Sequence, residues 1–189
     1  MSFPVRRRFY IPAAAVAILL LALWLLGTVS VLRGDTWLEL TDAETGREIV
    51  ARSLREGEEV VLTWKNSLFG LMVTEVFAAR GGGLELTQVT FADPQGREPP
   101  LARPEDLDDL YHTGGPFRVE GLSRPVNHLV FRVGEIGDPR LRIGTHLIQM
   151  AREVHFGGAV QLVARRPSLW DAGVIRVLRG FFQGVGRWD

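Results

Sequence analysis

Cysteine is absent from the 189 residues. That excludes disulfides, thiolate metal sites and a lipid-modified cysteine anchor, so in an oxidising compartment the fold rests on its core alone. Lysine is nearly absent too, with Lys65 the only one, which reads as genome base composition rather than chemistry. Net charge is also lacking, 22 basic residues standing against 22 acidic ones. All of the acids follow Leu32 while Arg6, Arg7 and Arg8 precede it, which leaves the rest of the chain at about −3. A nucleic-acid partner would call for a basic face, so none is expected.

Catalytic and metal-binding motifs are equally scarce. There is no G-x-S-x-G elbow, and no Lys-Ser/Thr follows Gly81-Gly82-Gly83 as a phosphate loop requires. His112, His128, His146 and His155 form neither an H-E-x-x-H motif nor a close pair. The acids Glu105, Asp106, Asp108 and Asp109 lack the spacing of a calcium loop and read as a solvated helix start. The expectation is a protein that is not an enzyme and that holds no cofactor and no metal.

One long apolar run is present, from Ile11 to Leu32, directly after the three arginines. About 22 helical residues at about 1.5 Å each reach about 33 Å, enough to cross a bilayer core. A cleaved signal is the weaker reading, because Thr28-Val29-Ser30 is a poor cleavage site and the run is long for a signal. Arginines flanking a first apolar segment stay in the cytoplasm. The sequence therefore predicts a basic cytoplasmic N-terminus (1–10), a transmembrane anchor (11–32) and a domain that faces outward, into a periplasm or the extracellular space. Trp24 falls inside the span, and Trp37 suits its outer interface.

The outward domain, 36–166, reads as mainly β. Thr36–Arg52 alternates around Asp42–Gly46 as a hairpin; Glu58–Trp64, Leu71–Phe77 and Leu84–Phe91 read as strands, with the three glycines as a turn. Pro104–Tyr111 predicts one helical turn, Phe117–Leu122, Asn127–Val133, Arg140–Ile143 and Ala159–Ala164 further strands, and Leu147–Glu153 a short helix. Such a series argues for an antiparallel sandwich or barrel. The tail, 167–189, has apolar residues at helical spacing and reads as an amphipathic helix, packed on the domain or lying on the membrane.

The string Val60–Phe77 resembles a bacterial domain-of-unknown-function family, number eighteen-fifty. Its pattern runs from an aromatic residue through His-Ser-Val to a Glu and an aromatic. Trp64, Ser67, Leu68, Glu75 and Phe77 match that pattern, while Asn66 stands where His is usual. Leu84–Phe91 with its Pro-Gln-Gly turn, Leu129–Gly134 and Arg140–Gly144 look like later blocks, so the resemblance spans most of 36–166. Members are small exported β-rich proteins, often encoded beside TRAP-type transporters of the TAXI class. The resemblance implies an accessory protein that docks on a transporter permease, its solute-binding protein, or both. It implies no reaction. The alternative is a free-standing extracytoplasmic module for small-ligand binding or envelope assembly.

Asn66, Ser67 and Glu75 make the best candidate polar cluster, with Trp64 beside them. Across a hairpin, Ser67 and Glu75 approach each other. The competing explanation is that Asn66 and Ser67 satisfy turn amides while Glu75 lies on a solvated face. Arg118, Arg132, Arg140 and Arg142 supply forked donors for a carboxylate if they converge. Alternation puts Arg140 and Arg142 on one strand face, where ion pairing with surface acids competes with that role.

Overall fold

The structure is a computed structural model and describes residues 13–32, 35–168 and 171. It divides into two units, Met1–Leu32 with Ser168–Asp189, and Arg33–Pro167. Arg6, Arg7, Arg8 and nearly all of the expected amphipathic tail lie outside the described residues.

In the first unit, α1 (Ala13–Leu32) is a 20-residue helix without a charged side chain. Val16, Ile18, Leu19, Leu20, Leu21 and Trp24 are all exposed on it. Apolarity therefore runs around the helix, not along one stripe. Among residues with described side chains, no helix is long and apolar enough to cross a membrane; in α1 the continuous described stretch is 14–22.

The second unit opens with the hairpin β1 (Thr36–Asp42) and β2 (Glu48–Leu54), followed by the meander β3 (Glu59–Lys65), β4 (Met72–Arg80) and β5 (Gly83–Phe91). A short strand β6 (Leu101–Ala102) leads through a 3-10 turn into α2 (Leu107–Thr113). Then come β7 (Phe117–Val119), β8 (Arg124–Pro125), β9 (His128–Arg132), the hairpin β10 (Arg140–Ile143) and β11 (His146–Gln149), α3 (Met150–Glu153) and β12 (Ala159–Arg165). One sheet runs β2-β1-β12-β9 and the other β11-β10-β3-β4-β5-β7-β6, with β8 also on β5. Among the described residues, only β6 with β7 is parallel. The unit is mainly β and sandwich-like.

Alternation explains the core. Leu38, Leu40, Val160 and Leu162 point inward from the first sheet, and Val60, Leu62, Val73, Phe77, Val89 and Phe91 from the second, in one buried cluster. At about 25 cal/mol per Å² of apolar surface removed from water, this burial is the main force holding the two layers together. One irregularity shapes the second sheet. Val76 pairs with Gln88 and Phe77 with Leu86, so Thr87 is an extra residue in β5. This bulge lets Leu84 and Leu86 on one side, and Val89 and Phe91 on the other, all face inward. The β4–β5 turn requires its glycines: Gly81 and Gly82 have φ of 59° and 82°, the pair of left-handed conformations that a two-residue hairpin turn needs.

Three expectations change. Leu147–Glu153 is not one helix: Gly144 (φ 58°) begins a tight turn that folds 146–149 back onto β10 as a strand, leaving helix only at Met150–Glu153. The Phe117–Leu122 strand stops at Val119, and the Leu122 N–H instead donates to the Thr87 carbonyl of the bulge. The helical segment after Pro104 runs on to Thr113, ended by Gly114 at φ 73°.

Candidate functional site

Glu75 occupies an unusual position. Cross-strand pairing aligns Leu141 of β10, Leu62 of β3, Glu75 of β4, Val89 of β5 and Val119 of β7 in one row. The four aliphatic members are fully buried. Residues opposite each other share a face of the sheet, so Glu75 points into the sandwich. The solvated-face reading of Glu75 is therefore corrected. Its face was visible in the alternation of Val73, Glu75 and Phe77.

A cleft of about 340 Å³ opens beside Glu75, lined also by Trp64, Leu129, Phe131, Arg132 and Pro139. Its walls are mostly apolar, and β9 is the edge strand of the first sheet that closes one side. The Tyr111 hydroxyl donates to Glu75 Oε1 at 2.7 Å. Burial pushes the Glu75 carboxyl above its ordinary value, and this hydrogen bond opposes the shift only in part. Burial, then the neighbouring carboxylate, holds the Tyr111 phenol protonated well beyond its ordinary range. Tyr111 is fixed in turn by edge-to-face contact with Phe91 (centroids 5.5 Å apart), itself stacked on Phe117 at 4.5 Å.

The β3–β4 loop supports this arrangement without joining it. Asn66, 8% exposed, accepts at Oδ1 from the Leu68 and Phe69 N–H groups at 2.9 and 3.1 Å. Its own N–H donates to the Leu71 carbonyl at 2.8 Å. This is the chemistry of a turn-forming Asn. The turn sets the Phe69 ring against Gly114, where an added Cβ would come within 2.5 Å of Cε1. Phe69 thus packs on the end of the helix that carries Tyr111. Ser67 is exposed at the loop tip. Glu75 pairs three ladder positions inward from Met72, about 10 Å at about 3.4 Å per residue, so Ser67 and Glu75 do not meet.

The arginines do not converge. Arg140 and Arg142 lie on the outer face of β10, alternating with buried Leu141 and Ile143, and Arg140 pairs with Asp138. Arg118 pairs with Glu98 and Glu120 at 2.9 and 3.2 Å. Only Arg132 reaches the cleft, at its rim. The acidic segment is engaged at the surface, Asp106 with Arg103 at 3.0 Å and Asp108 with Arg124 at 2.7 Å. All four histidines are exposed, and among the described residues no three His, Asp or Glu side chains gather to hold a metal ion.

Of the expected residues, the structure brings together Trp64 and Glu75, with Arg132 at the rim. It adds Tyr111, Leu129, Phe131 and Pro139, which the sequence reading missed. Leu129 and Phe131 alternate in a strand that was expected, but nothing local says that this strand covers Glu75. No family model matches this chain, and neither curated proteins nor solved structures give a match.

Proposed function

We propose that this chain is a membrane-tethered extracytoplasmic binding module whose cleft at Glu75 takes a small ligand. The observation that carries the reading is a carboxylate set in a row of four fully buried aliphatic residues and facing an apolar cleft. Glu75 is half-buried, and withdrawing a carboxylate even partly from water with a single hydrogen bond opposes folding, whereas a Leu in its place would favour it. A convergent polar group in an otherwise apolar concavity is the usual form of a small-molecule site. Thermal unfolding of the full chain in detergent, with a panel of small charged and neutral compounds, tests this. The expected result is a raised melting temperature with at least one compound, lost when Leu129→Trp fills the cleft. A panel without any shift would sink the reading.

The uncharged Ile11–Leu32 run and the apolar circumference of α1 support an anchor. With Arg6, Arg7 and Arg8 inside, the β domain faces outward from a bacterial inner membrane. Tethering confines it near membrane partners and raises its effective concentration there.

A second reading follows the resemblance: docking on a TRAP-type permease, its solute-binding protein, or both. The exposed apolar tip of the β3–β4 loop supports it, with Leu68 84% and Met72 45% exposed. Stoichiometric recovery of a permease with the tagged chain from native membranes, reduced by Leu68→Asp, is the expected result. Recovery of the chain alone would remove this reading and leave the binding module.

A further inference from the structure

We infer that the ligand of the cleft carries a primary ammonium group on a short apolar body, with the ammonium seated on Glu75. This rests on reading the cleft as a binding site and goes on to name the chemistry of what enters it.

Three features of the site select that chemistry. First, Oε1 of Glu75 is occupied by Tyr111, and among the described residues no other hydrogen bond and no ion pair reaches the carboxylate. One oxygen is left for a donor that comes from the cleft. Second, among the described residues no cationic side chain pairs with it. Leu62 and Val89 flank it in the sheet, Leu129 and Phe131 face it from β9, and Tyr111 comes from α2. Arg132 is exposed at the rim without an ion pair among the described residues, while Asp108 and Arg124 pair with each other beyond Tyr111. Third, the walls are aliphatic and aromatic, and about 340 Å³ lies at the small end of the roughly 300–1,000 Å³ typical of ligand sites.

Other chemistries fit less well. An anion would meet the carboxylate. A hard metal ion needs several oxygen ligands, and one carboxylate supplies too few. A purely apolar molecule would strip water from the carboxylate and return nothing. An ammonium supplies charge and donors together, and Trp64 and Phe131 add aromatic faces that attract cations. Plain amines and free amino acids share this chemistry. Arg132 separates them, since only an amino acid has a carboxylate for it.

Calorimetry on the full chain in detergent tests the inference with n-pentylammonium, norleucine, 1-pentanol and pentanoate as probes. The expected result is that an ammonium probe binds about tenfold or more tightly than pentanol and pentanoate. Glu75→Gln, which preserves shape and an acceptor for Tyr111, should remove that preference and bring the ammonium probes to the level of pentanol. Ammonium binding should also weaken as pH falls through the titration of Glu75, and should not in the Gln variant. Norleucine gaining over pentylammonium, with the gain lost in Arg132→Gln, would support the inference and make amino acids the source. Equal affinity for the two would support it with plain amines as the source. Pentanol binding as tightly as pentylammonium, with Glu75→Gln silent, would overturn the ammonium and leave the cleft reading intact. No heat from any probe, with Leu129→Trp indistinguishable from the parent, would overturn both.

Discussion

Two hollows of the β domain contrast, and the larger of the pair is the less informative. A concavity of about 520 Å³ lies at the β4–β5 turn, bordered by Arg80, the three glycines, Glu85, Asn127, Arg165 and Arg166. Its charges are already engaged: Arg80 with Glu85 at 3.0 Å, and Arg166 Nε with the Gly81 carbonyl at 3.3 Å. The cleft at Glu75 is smaller but has one carboxylate among apolar walls and a single hydrogen bond to it. Exposed ion pairs contribute little and exchange readily with water, whereas a partly desolvated carboxylate is held at a cost to the fold. What separates a candidate site from a surface dent here is unmet chemistry, not volume.

Substitutions sharpen that contrast. Leu62→Ala removes an aliphatic partner beside Glu75 and should lower stability by about 3 kcal/mol, read from urea unfolding. A loss below about 1 kcal/mol would mean that the row is not tightly packed around the carboxylate. Gly82→Ala attacks the other hollow: φ is 82°, and an added Cβ would fall 2.1 Å from Cγ of Arg166. The arginine stem can swing aside, so the backbone conformation dominates, at about 1–2 kcal/mol, with binding at the Glu75 cleft unchanged. Any loss of ligand binding in this variant would show that the hollows are coupled.

The next effect is smaller and depends on pH. The Glu75 carboxyl is held above its ordinary 4.5 by burial, so the fold binds a proton that the unfolded chain has already released. This contribution is fully present below pH 4.5 and is lost as pH rises through the folded value. Stability of the parent relative to Glu75→Gln should therefore decline with rising pH across that window, and parallel pH profiles would contradict it. Ser67→Ala should change stability by less than about 0.5 kcal/mol, because the side chain is exposed at a loop tip. A loss of permease association in that variant would turn Ser67 from a bystander into part of a docking surface.

Local patterns carried most of the fold. Asp42–Gly46 and Gly81–Gly83 combine turn chemistry with flanking alternation, and both hairpins form there. Leu147–Gln149 failed because a short apolar run fits either period, and the turn after Ile143 decided in favour of a strand. The candidate site was only half readable. Glu75 and Trp64 share the inner face of one meander, so short-range alternation places them together. Tyr111 is 36 residues from Glu75 in sequence, and its hydrogen bond depends on where α2 packs. By sequence Asn66 fits both a site and a turn, and the geometry gives it the turn.

The bulge at Thr87 has a consequence for comparing this chain with others. Inward positions in β5 fall at 84, 86, 89 and 91, so the extra residue sits in the one interval of three. A chain one residue shorter at this point would keep Leu84, Leu86, Val89 and Phe91 in the core by simple alternation. It would lose the local twist, and with it the Thr87 carbonyl that receives the Leu122 N–H at 3.1 Å. A single-position gap between 86 and 89 therefore leaves every core column in step, whereas a gap at 85 or 90 would throw part of the strand out of phase.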